Sequence, residues 1–276
     1  MIRLTPNVYV EIVKNGCNTG FVVTSEGVFA HDTPMLPEAA KNWAAEIAKH
    51  GTLRYVVNGE YHPDHILGNC YLGGTLIAHE GTREEILKKG LNDYKDMVSK
   101  HMPGSRPDKD FYYRAPDITL NNRLTIYLGK HTFKLMALPG HTACQVCTFV
   151  PEEGVVFTSD TVGTSLPVMD ESLPDEWIES LKFLQTLDFD KIVCGHGEVQ
   201  EKSYISHMIK HIRTWLDVVA DAIKKGMTLE EAQKNITMEK EFPDLIKDTA
   251  HKPDIIPTNV ARIYIYLKNK KSWHAP

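Results

Sequence analysis

Short apolar runs alternate with stretches of helical spacing along most of the chain. Residues 8 to 13, 19 to 24, 27 to 31 and 53 to 57 are dense in Val, Ile, Phe and Tyr between turn-forming residues, which predicts strands. Between the third and fourth of these, Ala39, Ala40, Trp43, Ile47 and Ala48 recur at helical spacing and predict a helix over 36 to 49. Residues 71 to 79 read as a short strand and 82 to 91 as a helix. Strands resume near 124 to 128, 132 to 137, 145 to 150 and 155 to 158, and a helix over 174 to 187 carries Trp177, Leu181 and Leu184 on one face. Two stacked sheets with helices outside would give this order, although periodicity by itself establishes only a mixed α/β chain.

After residue 200 the pattern turns helical. Ile205, Met208, Ile209, Ile212, Leu216, Val219 and Ile223 lie near one face of a helix over 203 to 225, which Gly226 ends. Thr228-Leu229-Glu230-Glu231 is a capping box that opens another helix, and Val260, Ile263, Tyr264 and Leu267 predict one over 258 to 270. The expected organisation is therefore an α/β domain over 1 to 200 with a helical extension, 201 to 276, packed on it. Two stretches break the rhythm. Residues 92 to 116, with Tyr94, His101, Met102, Pro103, Gly104, Arg106, Phe111, Tyr112 and Tyr113, predict a long connection acting as a lid or as a homodimer contact. In residues 162 to 174, Leu166 and Met169 suggest an apolar wall beside a site.

Composition narrows the classes without choosing among them. The 276 residues suffice for one large sandwich with a full core, and 42% hydrophobic with 24% charged residues is ordinary for a soluble domain. A formal charge of −5 lacks the basic bias of a phosphate-backbone binder, so no nucleic-acid partner is expected. No apolar run reaches the eighteen or so residues of a membrane span and Met1 to Pro6 has no apolar signal core, so a cytoplasmic protein without a membrane partner is expected. Five cysteines at unrelated spacings suit reduced thiols, and Cys144 and Cys147, three apart on a strand, would point to opposite faces.

The chemistry concentrates in Asn58-Gly59-Glu60-Tyr61-His62-Pro63-Asp64-His65, on a loop leaving the strand that ends at Val57. Imidazole and carboxylate are ligand types for zinc, iron or manganese, and coordination offsets the cost of crowding charged groups there; the plain alternative is a solvated turn. Three further strand ends each carry one such group: His141 in Leu138-Pro139-Gly140-His141-Thr142, Asp160 after Val155 to Ser159, and His196 between Gly195 and Gly197. Singly each is ordinary, since a lone turn histidine is common and a lone aspartate caps helices or turns. By contrast His207 and His211, four apart on a helix, lack a third ligand and read as a helix face.

In these four stations, and in Asn18-Thr19-Gly20 and His31-Asp32-Thr33, the chain resembles the metallo-β-lactamase superfamily, whose pattern is H-x-H-x-D-H, a lone His, a lone Asp and a final His. The resemblance covers most of the chain and implies an αββα sandwich. Carried over by position, it implies one metal held by Glu60, His62 and His141 and a second held by Asp64, His65 and His196, with Asp160 bridging them. It implies hydrolysis of an acyl-type bond of a small-molecule substrate (lactone, thioester, ester or β-lactam), with Asp64 or Asp160 orienting the nucleophile and handling its proton.

Two positions depart from the family pattern: Glu60 replaces its first histidine and Ser159 the glycine usual before the bridging aspartate. Two divalent cations, the carboxylates of Glu60, Asp64 and Asp160, and one hydroxide sum to zero charge; histidine at position 60 would leave the sum at plus one. The expected cofactors are two divalent metal ions, zinc first, with iron or manganese admitted by the harder Glu60 donor. Glu60 turning away, leaving a mononuclear site, is the alternative. Three other readings stay open on the same fold: a phosphodiesterase or nuclease, an oxygen-active iron protein, and a binding module without catalysis. Flavodiiron proteins place their glutamate at the second ligand position, here His62, which separates this chain from them.

Overall fold

Side-chain alternation along the strands sends one set of residues between two sheets and the other set outward. The computed structural model describes residues 1–14, 16–101, 107–248 and 254–273. The first sheet runs in chain order through β1 (Ile2–Arg3), β2 (Val8–Glu11), β3 (Thr19–Thr24), β4 (Gly27–His31), β5 (Leu53–Val57), β6 (Thr75–His79) and β7 (Ile118–Leu120). The second contains β8 (Arg123–Leu128), β9 (His131–Ala137), β10 (Val146–Val150), β11 (Val155–Ser159), β12 (Lys191–Cys194) and β13 (Gln200–Glu201), again neighbours in sequence order. Hairpins make β2 to β4 and β8 to β11 antiparallel, whereas β4 to β7 and the β11 and β12 pair are parallel. Each parallel step needs a crossover, and the helices supply it.

Three apolar layers follow. Between the sheets, Val8, Val10, Val22, Phe29, Val57 and Ile77 meet Phe133, Leu135, Val146, Val155, Phe157 and Val193, and Phe29 stacks on Phe133 at 4.0 Å. Outside the first sheet, Phe21, Val28, Ala30 and Val56 are covered by Ala40, Trp43 and Ile47 of α1 (Pro37–Ala48). Outside the second, Met136, Cys147, Phe149, Val156 and Ile192 pack with Trp177, Leu181 and Leu184 of α5 (Pro174–Gln185) and with Met208, Ile212 and Trp215 of α6 (Ile205–Lys224). Helix, sheet, sheet, helix is the layer order, which makes this an αββα sandwich. The remaining helices are α2 (Pro63–Ile66), α3 (Glu80–Leu87), α4 (Leu91–His101), α7 (Leu229–Asn235), α8 (Pro243–Asp248) and α9 (Ile255–Trp273). Ala232 of α7 and Val260 and Ile263 of α9 belong to the same apolar cluster as the outer face of the second sheet.

Two expectations need correcting. Residues 92 to 101 belong to a helix, α4, and Tyr94, Val98 and Phe111 are buried with Leu67 in a small core of their own, with Tyr94 and Phe111 stacked at 3.6 Å. The aromatics that suggested a lid are thus mostly spent on packing; Tyr112 is exposed, and residues 102 to 106, including Met102, Pro103, Gly104 and Arg106, lie outside the described residues. Leu166 and Met169 do not wall a site either. Both are buried in the core beneath α5 and α6. All five cysteines are free thiols, and among the described residues no helix is long and apolar enough to cross a membrane.

Candidate metal centre

Strand ends from both sheets open onto one edge of the sandwich, and every predicted site residue lies just past such an end. Glu60, His62, Asp64 and His65 follow β5, His141 follows β9, Asp160 follows β11 and His196 follows β12. The loop after β5 is fixed by local chemistry. Pro63 starts α2 with a preset φ, and the carbonyl of His65 accepts from the Asn58 carboxamide at 2.9 Å and the Thr33 hydroxyl at 2.9 Å. The Asn69 and Asn58 carboxamides pair at 2.8 and 3.0 Å beneath it.

All seven side chains converge. His62 Nδ1 lies 2.7 Å from Glu60 Oε2 and 3.2 Å from His141 Nε2, while Glu60 Oε1 is 3.6 Å from His141 Nε2. His196 Nε2 lies 3.2 Å from Asp64 Oδ2, and His65 Nε2 lies 3.9 Å from the same oxygen. Asp160 stands between the two groups: its Oδ2 is 3.6 Å from His141 Nε2 and 3.3 Å from His196 Nε2, and its Oδ1 is 3.5 Å from His65 Nε2. Glu60, His62 and His141 form one cluster with ligand-type spacing, and Asp64, His65 and His196 another. Glu60 is fully buried and faces inward, and its Oε1 is also 3.6 Å from His65 Nε2, within reach of the second cluster.

The donor set suits divalent cations. Glu60 Oε1 and Oε2, His65 Nε2 and Asp160 Oδ1 are buried without a hydrogen bond, an arrangement costly for carboxylates unless a cation faces them. Without metal, the carboxylates act on the imidazoles instead. Burial alone would lower the His62 pKa, but the Glu60 carboxylate outweighs it and pushes it up to about 9. His196 is likewise raised to about 10, burial being outweighed by Asp160 and Asp64. Burial works the other way on Asp64 and Asp160, and the neighbouring imidazoles overcome it to hold both carboxyls low. Protons therefore compete with metal for the two histidines.

Several residues to which sequence reasoning gave no role in the site surround the candidate ligands. Asp32, at the end of β4 with φ +58°, accepts from His65 Nδ1 at 2.8 Å, from the Gly59 amide at 2.7 Å and from the Ser159 hydroxyl at 2.5 Å. This turns Nε2 of His65 toward the centre. Ser159 has φ +43°, the left-handed region that favours glycine, and its side chain fits only because residue 59 is glycine: a Cβ there would stand 1.6 Å from Ser159 Oγ. His31 completes the network, its Nε2 2.9 Å from Ser159 Oγ and its Nδ1 3.0 Å from Thr148 Oγ1. On the opposite side, the Asn18 carboxamide donates to the carbonyls of Cys194 and Gly197 at 2.9 and 2.7 Å, bracketing the His196 turn. His141 Nδ1 donates to the Val168 carbonyl at 2.8 Å, which aims Nε2 inward. Asp32 and Asn18 stand within the segments that carry the family resemblance, and that was their only signal.

The sequence profile of the metallo-beta-lactamase superfamily matches residues 14–196, the span that carries all seven residues. A hydroxyacylglutathione hydrolase of Thermosynechococcus vestitus is 24% identical over 238 residues, covering 85% of this chain and 75% of that protein. A metallo-beta-lactamase type 2 of Elizabethkingia meningoseptica is 25% identical over 225 residues, 75% of this chain and 82% of its own length. Among solved structures, a stereoselective inverting sec-alkylsulfatase of Pseudomonas sp. superposes with a TM-score of 0.75 at 13% identity over 96% of this chain, which spans about half (49%) of the sulfatase and shares its fold. With the layer order, the strand-end loops and a family match that spans well over half of the chain in agreement, the chain belongs to the metallo-beta-lactamase superfamily.

Proposed function

We propose that this metal-dependent hydrolase uses two divalent ions to cleave an activated acyl bond of a small molecule, of thioester, lactone, ester or β-lactam type. The observation that carries the reading is the convergence of seven ligand-type side chains from separate loops, with four buried polar atoms lacking hydrogen bonds at their centre. Glu60, His62 and His141 would hold one ion, Asp64, His65 and His196 the other, with Asp160 between them. Glu60 would touch both, a reading supported by its Oε1 lying 3.6 Å from Nε2 of His141 and of His65.

The chemistry that such ions supply when bound is Lewis acidity, which acidifies water and polarises a carbonyl oxygen. The chain's own residues do the positioning. Asp64 or Asp160 would orient an attacking water and take its proton, a role supported by Asp160 Oδ2 lying 3.6 Å from His141 Nε2 and 3.3 Å from His196 Nε2 and by Asp64 Oδ2 lying 3.2 Å from His196 Nε2. Asp32 keeps His65 in one ring orientation, so that the polar centre needs little reorganisation during reaction. The Glu60 carboxylate adds negative charge where other members carry imidazole. This tempers the acidity of the centre and suits a substrate whose acyl bond is already activated. Two relatives bear the names of hydrolases of an acylated glutathione and of a β-lactam, which supports the acyl class.

The test is turnover of thioesters, lactones, activated esters and β-lactams by metal-loaded protein, with bis-nitrophenyl phosphate as a phosphodiester comparison. The expected result is hydrolysis of at least one acyl class that chelation abolishes and added zinc, manganese or iron restores. Turnover of the phosphodiester alone would move the protein to the phosphodiesterase class.

A further inference from the structure

One buried side chain links α9 to the backbone segment that holds His141. Asn259 on α9 is fully buried, in a helix otherwise packed through Val260 and Ile263. Its Oδ1 accepts from the Met169 amide at 2.7 Å and its Nδ2 donates to the Pro167 carbonyl at 2.8 Å. Those two backbone groups flank Val168, whose carbonyl receives Nδ1 of His141 at 2.8 Å. One planar carboxamide thus clamps the residue before and the residue after the carbonyl that sets the ring of His141. The loop is tied again a few residues on, where Arg262 donates to the Ser172 carbonyl through Nε at 2.9 Å and Nη2 at 2.8 Å, and Ser172 returns to the Met169 carbonyl at 3.0 Å.

We infer that Asn259 is a positioning residue for His141: it acts through the Pro167 to Met169 segment to hold the Nδ1–H bond, and so keeps Nε2 of His141 aimed at the centre. This rests on His141 being a metal ligand, as proposed above. A carboxamide suits the task because it offers a donor and an acceptor from one rigid group. An apolar residue of similar size would leave the Met169 N–H and the Pro167 carbonyl buried and unpaired, and the segment would shift to recover partners. Partners that orient a ligating histidine are worth roughly 10- to 100-fold in metal affinity. A helix more than a hundred residues away in sequence then contributes to the strength of the centre without touching it.

The experiment compares Asn259→Ala, Asn259→Asp, Ile263→Val and His141→Ala with the parent protein, using two readouts. The first is exchange of the His141 Nδ1–H by ¹⁵N NMR of metal-free protein; the second is zinc affinity by chelator competition. Asn259→Asp keeps the acceptor for Met169 and loses the donor to Pro167, so it reports the same contact should the alanine variant fail to fold. Ile263→Val weakens the packing of α9 while leaving both hydrogen bonds in place. The expected result is at least tenfold faster Nδ1–H exchange and tenfold or more weaker binding of one zinc equivalent in the Asn259 variants, with both readouts unchanged in Ile263→Val. Parental exchange and affinity in the Asn259 variants, with His141→Ala weakening zinc, overturns the inference alone. An equal loss in Ile263→Val also overturns it, because the effect would then be general destabilisation. Unchanged zinc affinity in His141→Ala overturns the ligand assignment and the inference together.

Discussion

At the scale of single residues, the departures from the family pattern are informative. Glu60 is fully buried and faces inward, its Oε2 2.7 Å from His62 Nδ1 and its Oε1 3.6 Å from Nε2 of both His141 and His65. Replacing it with histidine changes the donor from hard to softer and adds one net positive charge. Metal analysis of Glu60→His should therefore show a shift toward zinc over manganese and iron relative to the parent; an unchanged metal count and identity would show that Glu60 does not ligate. Ser159 is the second departure, and it brings a hydroxyl onto Asp32. Asp32→Asn replaces one carboxylate oxygen by an NH₂ that cannot accept the His65 proton, and a loss of about 10- to 100-fold in zinc affinity is expected. Parental affinity, measured by chelator competition, would remove Asp32 from the account. The seven candidate ligands were legible because their residue types recur at strand ends in a known order. Asp32 and Asn18 were not, since a lone aspartate or asparagine beside a turn has too many ordinary uses.

Elements decide how closely those residues approach. The turn after β12 passes directly over Asp160: a Cβ on Gly195 would stand 1.9 Å from Asp160 Oδ1 and 2.6 Å from the Ser159 carbonyl carbon. Gly195→Ala must therefore displace Asp160 or the backbone of β11. The expected outcome is a folded protein, by circular dichroism, that has lost the greater part of its metal, read by elemental analysis; full metal content would mean that Asp160 moves without consequence. Local signals predicted α7 well, because Thr228 and Glu231 form the reciprocal capping pair that their spacing implies, at 3.2 and 2.8 Å. Thr228→Ala should cost about 1 kcal/mol of stability in chemical denaturation with hydrolysis unchanged. The helix α4 escaped because proline, glycine and aromatic residues just beyond it read as loop, while Tyr94 and Val98 are held by tertiary contacts with Leu67 and Phe111 that no local pattern encodes. Short elements such as α2 and β13 are likewise too brief to leave a period.

For the whole molecule, hydrophobic periodicity established only a mixed α/β chain, and neither the layer order nor the strand pairing followed from it alone. The resemblance carried by Glu60 to His65, His141, Asp160 and His196 implied the sandwich, and the outward and inward faces of β9 show why it forms: Phe133 and Leu135 turn to the first sheet, Met136 to α5 and α6. The two sheets bring the loops after β5, β9, β11 and β12 to one edge, where Glu60 Oε1 and Oε2, His65 Nε2 and Asp160 Oδ1 are buried without a hydrogen bond. The most direct test of the account is anomalous scattering from crystals of metal-loaded protein, collected on either side of the zinc, iron and manganese absorption edges. The account predicts two peaks, one among Glu60, His62 and His141 and one among Asp64, His65 and His196, with Asp160 contacting both. A single peak, or peaks away from these side chains, would contradict it.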